Sequence, residues 1–349
     1  MRVVVLGATG NIGTSLVATL AAEPAVTSLL GLARRLPTWR AEKTEWATCD
    51  IARHDLVEHF RGADAVVHLA WLFQPTHDPV LTWNTNVLGG IRVFEAAVAA
   101  SVPTLVYASS VGAYSPGPKD RPVDETWPTD GWPTAGYTRE KAYLERVLDT
   151  VERDHAHMRV VRLRPGFIFK QAAATEQRRL FAGPLLPHHL ARPGLIPVLP
   201  DVPGLRFQAL HSFDAADAFR LALLHPVRGA FNLAADPVVD VAELSRLLRA
   251  TRVPLPASAV RAALSAAWRL HLVPASPQLF DAVLRLPIMD TERAREELGW
   301  QPRHSALDAI SEFLEGLHTA SGMHTPPLSP GTSGPARTHE FRTGIGKKP

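Results

Sequence analysis

The segment GYTREKAYLE, residues 136–145, places a tyrosine and a lysine four residues apart. Residues four apart on a helix share a face, so the Tyr137 phenol and the Lys141 ammonium would be neighbours. A phenol has a pKa near ~10 and is a poor base at neutral pH, but a nearby cation favours the phenolate. The pair could therefore take or give a proton. The alternative is an ordinary amphipathic helix; of the four tyrosines, only Tyr137 has a lysine at this spacing.

The elements around this pair are those of an alternating α/β chain. Short apolar runs predict strands at 2–6, 26–32, 44–48, 64–70, 104–109 and 158–164, separated by helical patterns that include 80–101 and 134–153. Strands that are apolar throughout are typical of a parallel sheet covered on both faces. We predict a Rossmann-type, doubly wound parallel sheet with helices on both faces. Ser109 and Ser110 end the fifth strand, at the edge where such folds build their sites.

A glycine loop connects the first strand to the first helix. In VVVLGATGNIGTSL, Gly7, Gly10 and Gly13 are three residues apart. A tight strand-to-helix turn, close approach of a pyrophosphate to backbone amides and close helix–sheet packing all favour glycine. The loop predicts a dinucleotide site; the alternative is a glycine-rich turn without a ligand.

With this spacing and position, the chain resembles the extended short-chain dehydrogenase/reductases, the NAD(P)-dependent epimerases and dehydratases. HLA at 68–70, Asn86, HSFD at 211–214 and the LGW segment near 298–300 extend the resemblance over residues 1–318. It implies that Ser110, Tyr137 and Lys141 are catalytic, with hydride passing between a nicotinamide and a carbinol or carbonyl carbon while Tyr137 moves the proton. The implied and inferred cofactor residues are Gly7, Thr9, Gly10, Asn11, Ile12, Gly13, Arg34, Arg35, Asp50, Ile51, Leu69, Ala70, Asn86, Ser109, Tyr137, Lys141 and Pro165.

The end of the second strand bears on the choice between NAD and NADP. NAD sites usually place a carboxylate there to hold the ribose 2′-hydroxyl. Here Ala33 is followed by Arg34 and Arg35, which could clamp a 2′-phosphate. This favours NADP over NAD; the alternative is that both arginines are solvated and NAD is bound.

The substrate is less readable from the sequence. Val111, Gly112 and Ala113 follow Ser110, where the resembling dehydratases carry an acidic pair, so an epimerase and a simple carbonyl reductase both remain. A nucleotide sugar would need cations for its diphosphate, whereas aromatic side chains would suit a less polar molecule. Candidate substrate residues are Trp71, Phe73, Arg178, Arg179 and Arg206.

Three functional hypotheses remain open. The first is a nucleotide-sugar epimerase or oxidoreductase, the second an NADP-dependent carbonyl reductase acting on a less polar small molecule, and the third a dinucleotide sensor without catalysis. The resembling sensors typically lose the tyrosine or the lysine, so the presence of both favours an enzyme. The resemblance also implies a homodimer formed through the helices at 80–101 and 134–153.

Composition limits what else the chain could do. The net charge is +3, and residues 320–349 carry all of it, so the basic pI gives no case for a nucleic-acid partner. The single cysteine, Cys49, excludes an intramolecular disulfide, and the apolar runs are too short to span a membrane. The histidines show no metal-binding motif, so no metal is expected. We expect a cytoplasmic protein.

The predicted domain organisation rests on a change after Pro165, where the regular alternation of strand and helix patterns gives way to mostly helical patterns. We predict a cofactor domain over 1–165, with strands returning to its sheet near 204–234. Residues 166–318 should form a smaller, mostly helical substrate lobe. Residues 319–349 are rich in proline, glycine, serine and threonine without a periodic apolar face, so we predict a disordered tail.

Overall fold

The computed structural model describes residues 1–183 and 192–333. Its strands are β1 Arg2–Leu6, β2 Ser28–Ala33, β3 Thr44–Thr48, β4 Ala65–His68, β5 Thr104–Ala108, β6 Pro122–Val123, β7 Arg159–Pro165, β8 Phe167–Phe169, β9 Val198–Asp201, β10 Arg206–His211, β11 Gly229–Leu233, β12 Ala235–Asp240, β13 Thr251–Pro254 and β14 Ile288–Met289. Its α-helices are α1 Asn11–Ala21, α2 Val57–Phe60, α3 Pro79–Trp83, α4 Gly89–Ala99, α5 Gly136–Asp154, α6 Ala174–Gln177, α7 Ser212–Leu224, α8 Val241–Leu248, α9 Ala257–Arg269, α10 Pro277–Val283, α11 Glu292–Glu297 and α12 Ala306–His318.

A seven-stranded sheet in the order β11-β7-β5-β4-β1-β2-β3 forms the centre of the fold. All of its neighbouring strands run parallel. The predicted Rossmann-type sheet is confirmed. The strand order reverses between β1 and β4, and the crevice beyond the carboxyl ends of these two strands is where such folds bind ligands.

Helices cover both faces of this sheet, as predicted. On one face, α1 packs on α7, and Leu16 and Phe219 are fully buried in the core between them and the strands. On the other face, Phe94 of α4 and Leu144 of α5 are fully buried in a second core. The apolar first strand therefore lies between two hydrophobic layers.

The later part of the chain adds smaller sheets to its helices. Strands β12, β10 and β8 form a three-stranded sheet, β13 pairs with β9, and β14 pairs with β6. Of the two segments predicted to return to the central sheet, only β11 does so. Strand β10 lies outside that sheet because β8 and β12 occupy its two edges.

Residues 319–333 differ from the predicted tail because they are packed on the protein. Thr325 is 1% exposed, Leu328 is fully buried, and the Thr325 Oγ1 donates a hydrogen bond to the Thr9 carbonyl oxygen over 2.9 Å. The prediction of disorder was wrong for this stretch, because Leu328 is buried and Thr325, Ser321 and His324 are hydrogen-bonded to the rest of the protein. Residues 334–349 of the predicted tail lie outside the described residues.

A search of the described helices for a membrane-spanning segment finds none with the necessary length and apolar character.

Candidate active site

The glycine loop forms the floor of the crevice between β1 and β4. Gly7 has φ +79°, and a Cβ there would lie 2.7 Å from the Ala70 backbone nitrogen. A Cβ on Gly13 would lie 2.2 Å from the Gly7 carbonyl oxygen. Packing of the protein itself therefore requires glycine at both positions.

Gly10 differs from its two neighbouring glycines. A Cβ there would have ordinary contact with the Gly7 carbonyl oxygen at 3.5 Å. Gly10 is the N-cap of α1, so the space that its missing side chain leaves lies at a helix N-terminus whose first amides have no intrahelical partner. Those amides and the helix dipole suit a pyrophosphate. The loop therefore fits the dinucleotide that the sequence predicted.

The other predicted cofactor residues lie beside the glycine loop, directly after β2, and at further loop and strand-end positions. Leu69 and Ala70 contact the glycine loop directly, since the Leu69 amide donates to the Leu6 carbonyl oxygen over 2.9 Å and Ala70 abuts Gly7. Arg34 and Arg35 are exposed directly after β2. Thr9 lies in the glycine loop, and Asn11 and Ile12 begin α1. The remaining predicted positions follow or end strands: Asp50 and Ile51 after β3, Ser109 after β5 and Pro165 at the end of β7.

Asn86 holds elements together from a buried position. Its Oδ1 accepts a hydrogen bond from the Leu72 amide over 2.7 Å, and its Nδ2 donates to Glu140 Oε2 over 2.7 Å. Glu140 also accepts from the Thr82 hydroxyl over 2.7 Å. Asn86 thus fastens the loop after β4 to α5, the helix that carries Tyr137.

Lys170 is a buried cation that sequence reasoning did not assign to the site. Its Nζ donates to the Asn11 carbonyl oxygen at 2.8 Å, to Thr14 Oγ1 at 2.6 Å and to Ser15 Oγ at 2.9 Å. Burial lowers its pKa to about 7. The sequence showed only a lysine after FIF; its contact with the first turn of α1 depends on the path of β8.

Tyr137, Ser110 and Gly112 meet at the carboxyl end of β5. A Cβ on Gly112 would lie 2.8 Å from Tyr137 Cε1 and 3.3 Å from Ser110 Oγ, so Gly112 permits the phenol to approach the serine. Ser110 Oγ accepts from the Gly112 amide over 2.9 Å. Burial raises the pKa of Tyr137 to about 12, against the lowering effect of the Ser110 hydroxyl.

Lys141 lies one helical turn after Tyr137, with its ammonium inside the protein. Its Nζ donates to the Ala108 carbonyl oxygen over 2.6 Å and lies 3.6 Å from the centre of the Trp71 ring. Burial lowers the pKa of Lys141 to about 7, although Glu145 and Glu140 favour the charged form. The predicted helical spacing therefore brings both side chains to the same end of the sheet.

Glu145, the last residue of GYTREKAYLE, anchors α5 below the site. Its carboxylate accepts from Ser109 Oγ over 2.5 Å and from Arg164 Nε over 2.9 Å. Burial would raise its pKa, but Arg164 and Arg162 outweigh that effect and hold it at about 2. Ser109 directly follows β5 and Arg164 lies in β7, and sequence spacing gave no signal of this buried ionic network.

The candidate substrate residues divide by type. Trp71 and Phe73 contact Tyr137 through their rings. The arginines reach main-chain oxygens instead: Arg178 Nη1 donates to Gly183 over 2.7 Å and Arg206 Nη1 to Lys119 over 2.6 Å. Arg179 Nη2 donates to the Pro327 carbonyl oxygen over 2.6 Å.

One group of possible metal ligands exists among the described residues: His211, His304 and Glu312. His211 Nε2 lies 3.1 Å from Glu312 Oε2, while its Nδ1 accepts from the Phe213 amide and caps α7. His304 Nδ1 lies 3.0 Å from Asp214 Oδ2, and the two imidazole centres are 4.0 Å apart. These contacts form an acid–imidazole chain in which every group has a protein partner.

Comparisons with known proteins agree with this geometry. A family model for the NAD dependent epimerase/dehydratase family matches residues 3–234. An uncharacterized protein of Mycobacterium tuberculosis is 27% identical over 90% of this chain and 83% of its own length. A UDP-glucose 4-epimerase of Streptococcus mutans is 25% identical over 92% and 97% of the two chains.

Solved structures show the same fold. The UDP-glucose 4-epimerase of Thermus thermophilus in complex with NAD superimposes with a TM-score of 0.67 at 22% identity, covering 92% of this chain and 100% of its own. The family model spans most of the chain, and its match includes the glycine loop and the Tyr137–Lys141 pair. The chain belongs to the NAD dependent epimerase/dehydratase family of extended short-chain dehydrogenase/reductase enzymes.

Proposed function

We propose that this enzyme moves a hydride between the nicotinamide of NAD(P) and a carbinol or carbonyl carbon, with Tyr137 as the acid/base. The observation that carries the proposal is the convergence of Tyr137 with Ser110 at the end of β5, where Gly112 leaves room for their approach. The cofactor would be held by residues 1–165 and the substrate by residues 166–318. Between them, the Ser110 hydroxyl would hold the substrate oxygen next to the phenol.

The protein's own residues account for the proton. Burial keeps Tyr137 protonated, with a pKa of about 12, so the phenol is ready to give its proton to a carbonyl oxygen. In the oxidative direction the phenolate must form, and the positive charge of an oxidised nicotinamide supplies the electrostatic stabilisation when it is bound. Lys141 adds a second cation when it is protonated.

Relatives that are named as UDP-glucose 4-epimerases favour an epimerase-type reaction on a nucleotide sugar. The second candidate is a carbonyl reductase acting on a less polar molecule, and the aromatic rings of Trp71 and Phe73 against Tyr137 favour it. A non-catalytic dinucleotide sensor is the third, and the Tyr137–Lys141 pair argues against it.

Tyr137→Phe tests the catalytic role. We expect kcat for any hydride transfer that the enzyme performs to fall by about 10²–10⁴-fold, because the proton donor is lost. The Kd for NAD(P)H should rise by less than about tenfold, because only one hydroxyl contact is removed. Tyr143→Phe is the matched control, because Tyr143 lies on the same helix and is exposed to solvent.

Equal turnover by Tyr137→Phe and the wild type would refute the mechanism. Tight cofactor binding with no turnover of any substrate by the wild type would instead favour the sensor.

Three finer points belong to the same proposal. We propose NADP as the preferred cofactor, because Arg34 and Arg35 are exposed at the end of β2 with no acid at Ala33. We propose a homodimer that uses the outer faces of α4 and α5. We also propose a cytoplasmic location, consistent with the free, buried thiol of Cys49.

A further inference from the structure

Three aromatic side chains form a wall over the phenol of Tyr137. The Phe73 ring stacks on the Tyr137 ring with 5.1 Å between centroids and 15° between planes. Trp71 meets the same ring edge-on at 5.6 Å, and Phe181 meets Phe73 edge-on at 5.6 Å. We call Trp71, Phe73 and Phe181 the aromatic wall. A reacting carbon beside Tyr137 would have this wall as its neighbour.

Buried hydrogen bonds fix the wall in place. Gln74, next to Phe73, is buried, and its Nε2 donates to the Leu180 carbonyl oxygen over 2.6 Å and to that of Pro274 over 3.3 Å. Thr76 Oγ1 also donates to the Pro274 carbonyl oxygen, over 2.7 Å. The loop after β4 is therefore tied, directly after Phe73, to two segments of the later part of the chain, and one of those segments carries Phe181.

Four of the cations that could bind a diphosphate already hold main-chain oxygens of the protein. Arg178, Arg179 and Arg206 each hold a main-chain carbonyl oxygen. Lys119 Nζ donates to the carbonyl oxygens of Arg206 at 2.7 Å and Val283 at 2.9 Å. A phosphate would have to compete with these backbone bonds for the orientation of each cation.

Building on the proposed function, we propose that the substrate is a small ketone or secondary alcohol with an aromatic substituent that stacks on the aromatic wall. Phe73 and Phe181 offer ring faces and edges to a planar apolar group, and Ser110 and Tyr137 offer the polar contacts for one oxygen. In the reductive direction, the carbonyl carbon accepts a hydride from NAD(P)H and its oxygen accepts the Tyr137 proton. The products are the secondary alcohol and NAD(P)⁺, and water then returns a proton to Tyr137.

Steady-state kinetics of the full chain tests the substrate class. Acetophenone and butanone are each supplied with NADPH or NADH, and UDP-glucose is supplied with NADP⁺ or NAD⁺, because its carbinol carbon must first give up a hydride. Nicotinamide absorbance and sugar epimerisation are followed. We expect kcat/KM for acetophenone to exceed that for butanone by at least about tenfold, because butanone lacks the ring that would stack. Conversion of UDP-glucose should be slower than either. A higher kcat/KM for UDP-glucose than for acetophenone would overturn the proposal.

Phe73→Leu examines the wall itself, and leucine keeps an apolar residue at the site. We expect the KM for acetophenone to rise about tenfold while the KM for butanone changes little. Phe213→Leu is the control, because Phe213 is an exposed phenylalanine at the start of α7. An equal effect of Phe73→Leu on both ketones would contradict stacking.

A binding measurement keeps the proposal testable if neither ketone is turned over. The NADPH-loaded protein is titrated with phenylethanol and, separately, with UDP, and heat is measured by calorimetry. Saturable binding of phenylethanol that Phe73→Leu weakens supports the proposal, whereas binding of UDP alone, or of neither, refutes it. Tyr137→Phe removes one of the two hydrogen bonds to the alcohol oxygen, so it should weaken this binding by less than about tenfold while lowering turnover far more. A failure of the catalytic mechanism and a failure of the substrate class therefore give different results.

Discussion

Lys141 and Tyr137 show how burial and charge act on single residues of the site. Burial disfavours the charged form of each, so the pKa of Lys141 falls to about 7 and that of Tyr137 rises to about 12. The ammonium also lies against the face of Trp71, at 3.6 Å from the ring centre. The Tyr137 phenol is therefore protonated, which suits the reductive direction of the proposed reaction, where it gives a proton to the carbonyl oxygen.

At the same scale, Arg34 should decide between the two nicotinamide cofactors. We expect Arg34→Asp to raise the Kd for NADPH by about tenfold or more, since a charge-assisted contact to a 2′-phosphate is worth about 1.5–3 kcal/mol. Binding of NADH should improve, because a carboxylate can accept from the ribose 2′-hydroxyl. Fluorescence titration of both reduced cofactors measures the two values.

Arg153→Asp is the control for the change in net charge, because Arg153 is exposed in the last turn of α5, away from the glycine loop. If Arg34→Asp leaves the ratio of the two Kd values unchanged, the 2′-phosphate argument fails.

The residues that sequence reasoning found and missed differ in one physical respect. Tyr137 and Lys141 were found because their relation is local, one turn of one helix. Glu145 was missed because its meaning depends on Ser109 and Arg164, which arrive from strands β5 and β7. Gly112 was passed over for a similar reason: the need for glycine comes from the ring of Tyr137, which is distant in the chain.

For strands and helices, too, local relations could be predicted from the sequence and long-range relations could not. Apolar runs such as RVVVL predicted the central strands correctly, because a strand covered on both faces must be apolar throughout. Strand β10 was also predicted as a strand, but it pairs with β8 and β12, and pairing partners are not encoded in a local pattern. Residues 319–333 contradicted the composition argument, since Thr325 and Leu328 anchor a segment that is otherwise rich in proline, glycine and serine.

Thr325→Val is the element-scale test of this anchored segment. Valine keeps the shape but removes the hydroxyl that bonds to the Thr9 carbonyl oxygen in the glycine loop. We expect the free energy of unfolding to fall by about 1–2 kcal/mol, since a buried acceptor loses its partner. Urea denaturation followed by circular dichroism gives the value.

Thr319→Val supplies the comparison within the same segment, because Thr319 is exposed at the end of α12. Its effect should stay within about 0.5 kcal/mol. Equal stability of Thr325→Val and the wild type would mean that the segment is not held on the glycine loop in solution.

At the scale of the whole molecule, apolar side chains on and between α3, α4 and α5 are exposed to solvent in the single chain. Val80 is 67% exposed, Leu88 is 47% exposed and Tyr143 is 43% exposed. The rings of Trp83 and Tyr143 contact each other on this surface, with 5.0 Å between centroids and 59° between planes. Exposed apolar side chains concentrated on neighbouring helices are typical of a protein interface.

Leu88→Glu should separate the proposed homodimer. In the proposed homodimer the same surface would meet itself across a twofold axis, so the substitution would place two carboxylates in one apolar interface. Size-exclusion chromatography with light scattering should give twice the chain mass of 38.0 kDa for the wild type and a single chain mass for the variant. Leu270→Glu is the control, since Leu270 is 68% exposed but follows α9, far along the chain from these helices. A wild-type mass of one chain at micromolar concentration, or dissociation by Leu270→Glu alone, would show that α4 and α5 do not form the interface.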